Sequence, residues 1–78
     1  MVRTEKVSKV KAKNFIMELE AGQFNEFKAD KIYESATTTI YLLYHATEKW
    51  IVIVSKFILR PDDYVIEEYQ LKRRFSTL

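Results

Sequence analysis

Few side chains in this 78-residue chain could do chemistry, and they are scattered. Nucleophilic catalysis of the usual kinds needs a nucleophile, a base and a group that orients the base. The chain has one histidine, His45, and no cysteine. Neither a Cys–His pair nor a histidine-rich metal site can therefore be assembled within one copy. His45 stands among aromatic and aliphatic residues and reads as a structural histidine hydrogen-bonded at a sheet edge. Asp62-Asp63 and Glu67-Glu68 are carboxylate pairs. Neighbours on a helix diverge by about 100° and do not converge on one proton or metal. A single glycine rules out a glycine-rich phosphate loop. These residues predict no enzyme, no cofactor and no small-molecule substrate.

Binding chemistry is better represented. Five Tyr, five Phe and one Trp make the chain 14% aromatic, enough to anchor a protein interface or to stack bases on a sheet. The net charge of +2 conceals an uneven distribution. Residues 1–13 carry +4, residues 72–78 carry +3, and the body between them carries −5. Basic ends on an acidic body mark Lys9, Lys11, Lys13, Lys72, Arg73 and Arg74 as candidate contacts to phosphates or to an acidic partner. Near the aromatic segment, Tyr41, Trp50, Lys56 and Arg60 complete the candidate binding set. A solubilising terminus and an aromatic core are the plainer readings of the same residues, and each outweighs the binding reading.

Length and composition bound the class. Seventy-eight residues make one domain near the lower limit of what a single core supports. Without cysteine no disulfide can staple the fold. MVRTEKVSKVKAK is basic, but no apolar region with a small-residue cleavage site follows it. No apolar run approaches the roughly 20 residues of a membrane span. The expectation is one small cytoplasmic domain over 1–78, with 1–8 a loose basic arm.

The element that must position everything else is Thr37–Arg60, TTTIYLLYHATEKWIVIVSKFILR. Its β-branched and aromatic density predicts a long hairpin over about 38–59. With a two-residue turn at Glu48-Lys49, Leu43 would face Val54 and His45 would face Val52; a loop of three to five residues on a type I turn is an equal alternative, because this pair lacks the Gly or Asn that two-residue turns prefer. One face then carries Tyr41, Leu43, His45, Trp50, Val52, Val54 and Ile58. The other carries Ile40, Leu42, Tyr44, Ile51, Ile53 and Phe57. Both faces are apolar, so both require cover.

The flanks are more ambiguous. Asn14–Ala21 alternates Phe15, Met17, Leu19 and Ala21 with Glu18 and Glu20, which predicts a strand. A helix with Val7, Val10, Asn14, Met17 and Ala21 on one stripe is the alternative. Phe27–Ser35 reads as a second, more polar strand, or as a short helix from Asn25. Pro61, Asp62 and Asp63 look like a helix start, and the spacing predicts a C-terminal helix over about 62–75. A strand over Tyr64–Leu71 is its rival, with Val65, Tyr69 and Leu71 on one face.

The fold expected is α+β: an antiparallel meander of three to four strands, Asn14–Ala21, Phe27–Ser35, Thr38–Ala46 and Trp50–Leu59, closed by the C-terminal helix. One helix covers one face, so a homodimer or a protein partner is the natural cover for the other. The function expected is a non-enzymatic interaction or regulatory module, a class that includes small inhibitors and accessory proteins of mobile elements. The alternative is a nucleic-acid-binding protein whose basic termini clamp phosphates.

Overall fold

The computed structural model describes residues 2–21, 26–57, 59–60 and 62–71. Strand β1 (Val2–Ser8) leads directly into helix α1 (Lys9–Glu20). Strands β2 (Lys28–Glu34), β3 (Thr38–His45), β4 (Glu48–Lys56) and β5 (Asp63–Leu71) follow. They form one antiparallel sheet in the order β1-β5-β4-β3-β2. Consecutive strands β2 to β5 make a meander, and β1 adds to its far edge beside β5. Strands β1 and β2 thus run in the same direction at opposite edges, and α1 joins them across one face. Twelve residues of helix reach about 18 Å, which matches the roughly 19 Å between the outer strands of a five-stranded sheet.

Three expectations are corrected. The C-terminal helix is absent over its described part: Asp63–Leu71 is strand β5, paired with β4 on one side and β1 on the other. Residues 72–75 of that expected helix lie outside the described residues. Tyr64, Val65, Ile66 and Tyr69 prefer strand, and β4 would otherwise present a bare row of backbone donors and acceptors. These outweigh the Pro61-Asp62-Asp63 start, and Glu68 meets Arg3 at 3.7 Å on the neighbouring strand β1.

The strand expected over Asn14–Ala21 is also overturned, because these residues lie in α1 and its cap. Ser8 starts the helix with φ −75° and ψ 165°, its Oγ accepting from the Lys11 amide at 3.2 Å, as an N-cap should. The apolar stripe that seats the helix is Ala12, Phe15, Ile16 and Leu19, spaced i, i+3, i+4, i+7. It lies opposite the alternative stripe: Val10 and Met17 are each 68% exposed. Thirdly, Val2–Ser8 is an edge strand rather than a loose arm, which brings the sheet to five strands.

Within the hairpin the turn falls at Ala46-Thr47, two residues earlier than expected, with Ala46 at φ 53°. Left-handed backbone costs a non-glycine residue about 1 kcal/mol. Leu43 therefore pairs with Trp50 and Tyr41 with Val52. Against the expected register this is a shift of four residues. An even shift returns each described side chain to its expected face.

The core lies between α1 and the sheet. Val7, Tyr41, Leu43, Val52, Val54 and Ile66 are buried from the strands, and Ala12 and Leu19 from the helix. Every buried strand residue sits on the helix side of the sheet.

Candidate functional site: the open face of the sheet

The expected binding residues are dispersed among the described elements. Lys9, Lys11 and Lys13 are exposed on α1, with Lys9 and Lys13 on one flank and Lys11 on the other. Lys11 Nζ is held by Glu5 at 3.1 Å, and its hydrogen bond is the chief reason the Glu5 carboxyl titrates below its ordinary value. Tyr41 is 1% exposed, so it cannot meet a partner. Its hydroxyl donates to Glu20 Oε2 at 2.7 Å, and Lys31 Nζ reaches the same oxygen at 2.9 Å. Burial first, then that carboxylate, pushes the Tyr41 hydroxyl well above its usual range. The trio locks the end of α1 onto β2 and β3. Trp50 is half-buried on the helix side, its indole N–H donating to Glu48 at 2.8 Å. Arg60 is exposed, 4.0 Å from Asp63. Lys72, Arg73 and Arg74 lie outside the described residues.

One pair is brought together. Lys13 and Lys56 line a cleft of about 230 Å³ with Ser35, Thr37 and Tyr64, alongside the Glu34 carboxylate. The Ser35 hydroxyl is already engaged, accepting from the Thr37 and Thr38 amides and donating to the Thr38 carbonyl. His45 sits at the hairpin end with its ring 5.6 Å from Phe27. Among the described residues no group of three or more His, Asp or Glu side chains could hold a metal ion. No described helix is long and apolar enough to cross a membrane.

The face opposite α1 carries a different pattern. Ile40 and Leu42 of β3 lie beside Ile53 and Ile51 of β4, forming an apolar square on two of the three inner strands. Val65 and Tyr69 of β5 extend it on one side, and Tyr44 continues it along β3. All seven are partly exposed. Phe57, 42% exposed, closes one end, with Lys6 Nζ 5.8 Å from its ring centre. No other described element lies over them.

The flanks of this face are polar in a repeated way. Tyr69 donates its hydroxyl to Glu67 Oε2 at 2.7 Å, and Tyr44 hydrogen-bonds Asp30. Both hydroxyls titrate above their ordinary value, chiefly because of those hydrogen bonds to carboxylates. Lys6 pairs with Asp63 at 3.6 Å. Val65, Glu67 and Asp30 are absent from the binding set expected from sequence. The alternation of Asp63, Val65, Glu67, Tyr69 and Leu71 is the signal that could have found the first two. The apparent helix start at Pro61 masks it.

No protein-family model, curated protein or solved structure matches this chain.

Proposed function

We propose that this chain is a non-enzymatic interaction module that acts by seating its open sheet face on a protein surface. The observation that carries the proposal is the uncovered apolar square of Ile40, Leu42, Ile51 and Ile53, extended by Val65. Fully burying a Val, Leu or Ile side chain is worth about 1.5–3 kcal/mol. These five are already mostly buried, so completing their burial recovers at most about a third of that each. The total is at most about 2.5–5 kcal/mol, whose upper end reaches the low end of a small domain's whole stability, about 5–15 kcal/mol. Tyrosines at the edge of an apolar centre, each with its hydroxyl satisfied, suit a protein contact with a polar rim.

The test is capture of protein partners by the intact chain, compared with two charge variants. Ile53→Glu on the open face should abolish capture, whereas Val10→Glu on the outer side of α1 should leave it unchanged. Equal loss in both, or in neither, would remove the open face from the function.

A second reading draws on the Lys13–Lys56 cleft, in which two cations could meet a nucleic-acid phosphate. Its expected signature is sequence-independent binding whose salt dependence flattens by about one unit of slope for each lysine removed. Glu34 in the same cleft opposes an anion, which places this reading second.

A further inference from the structure

The occupant of the open face can be narrowed by its charge, its area and the edges around it. Resting on the reading of that face as the contact surface, we propose that it is covered by a second copy of this chain, packed sheet on sheet about a two-fold axis.

Charge is the first argument. The described strand residues of this face carry three cations, Lys6, Lys28 and Lys49, and three anions, Asp30, Asp63 and Glu67. A face with no net charge does not repel its own copy. A strongly basic or acidic partner would find nothing there to select it. The carboxylates Asp30 and Glu67 flank the apolar square on opposite sides. Glu67 already accepts from Tyr69 on its own copy, which offsets part of the cost of covering it.

Area is the second. Five strands of about seven residues give a flat footprint of roughly 550 Å² per copy, about 1,100 Å² for the pair. That clears the roughly 1,000 Å² expected of a specific interface. The apolar square occupies strands β3 and β4, so a two-fold axis passing near it sets apolar on apolar, with Glu67 beside Ile53 and Asp30 beside Leu42 at its sides and Lys6, Lys28, Lys49 and Asp63 further out.

The edges supply the third. Continuation of the sheet by edge pairing is discouraged at both ends. Strand β2 carries Lys28, Asp30, Lys31 and Glu34, and its register with β3 shifts at a bulge between Lys31 and Tyr33. Strand β1 carries Arg3, Glu5 and Lys6. Charges and bulges are how sheets blunt their edges. Face pairing is the route left open, and two aligned sheets about 10 Å apart would share one dry layer. The pair becomes a four-layer sandwich, helix–sheet–sheet–helix, with both Lys13–Lys56 clefts turned outward.

The experiment is sedimentation equilibrium of the full chain across the micromolar range, with circular dichroism on every variant. The wild type should be a dimer. Ile53→Glu and, separately, Ile51→Lys should keep the spectrum and weaken dimerisation roughly thirtyfold or more, as loss of a central contact does. The absence of cysteine allows a further readout, an Ile53→Cys variant treated with a thiol reagent. A dimer unmoved by both charge variants would place the interface elsewhere and overturn the proposal. A wild-type monomer overturns it as well, and the introduced thiol then separates the cases. Rapid modification leaves the face free for a different protein, so only the second copy is lost. Protection in a monomer means that the chain covers its own face, and the interaction reading falls with the dimer. Should both charge variants unfold, the wild-type mass and the modification rate of the Ile53→Cys variant still decide.

Discussion

Along strand β4, Val52 and Val54 are 1% and 3% exposed, while Ile51 and Ile53 beside them are partly exposed. The four side chains are chemically alike and sit on one backbone, yet they belong to two surfaces. Beneath Val52 and Val54 lies α1, seated by Ala12, Phe15, Ile16 and Leu19. Beneath Ile51 and Ile53 lies no described element. Apolar composition alone does not make a core; a covering element does, and this chain supplies a single described helix for a sheet that is apolar on both sides.

The largest expected difference is between Val52→Glu and Ile53→Glu. A carboxylate at position 52 would be buried without a partner, a cost of several kcal/mol, enough to unfold a domain of this size. The same change at 53 should leave the melting temperature close to wild type at concentrations where the chain is monomeric. Thermal unfolding by circular dichroism checks both, and an equal collapse would show that both faces are internal.

Helix α1 offers the same comparison around its axis. Leu19 is fully buried and Met17 is 68% exposed. Leu19→Ala should cost about 2–5 kcal/mol by leaving a cavity, and Met17→Ala should stay within about 0.5 kcal/mol. Urea denaturation separates them. A costly Met17→Ala would mean that the outer stripe is covered too.

Smaller is the effect of Tyr41→Phe. It removes the hydroxyl that ties β3 to the end of α1 while leaving Lys31 on Glu20, so a loss of about 1 kcal/mol is expected. A loss several times larger in urea denaturation would show the hydroxyl to be the main tie.

The smallest effect concerns acid. Hydrogen bonds from Lys31 first, and then Tyr41, hold the Glu20 carboxyl below its ordinary 4.5. A carboxylate with a lowered folded pKa adds stability that is complete above the unfolded value and is lost as pH falls through the folded one. Stability should therefore decline as pH drops below about 4.5, and Glu20→Gln should flatten that decline. Melting temperatures between pH 3 and 7 are the measurement, and an unchanged slope would show that Glu20 does not contribute.

Much of this architecture was legible in residue order. The β3–β4 hairpin announces itself through density of β-branched and aromatic side chains, and its two face sets survive a turn misplaced by two residues because side chains alternate with period two. The apolar character of both faces was legible for the same reason. Three flanking elements were not, and Val2–Ser8, expected as a loose basic arm, is one of them. Over Asn14–Ala21 the alternation of Phe15, Met17, Leu19 and Ala21 competes with the helical spacing of Ala12, Phe15, Ile16 and Leu19, and a short segment satisfies both periods. Over Asp63–Leu71 a good helix start precedes a strand-forming run.

Tertiary structure settled each competition by what the hairpin lacked. Strand β4 had a free edge whose amides and carbonyls need partners, and β5 fills it, with β1 behind. The sheet had a bare apolar face, and α1, long enough to cross from one outer strand to the other, fills that. Local preferences worth a few tenths of a kcal/mol per residue yield to a row of backbone hydrogen bonds and a buried Leu19. Periodicity within one segment cannot register either gain, because each depends on residues far away along the chain.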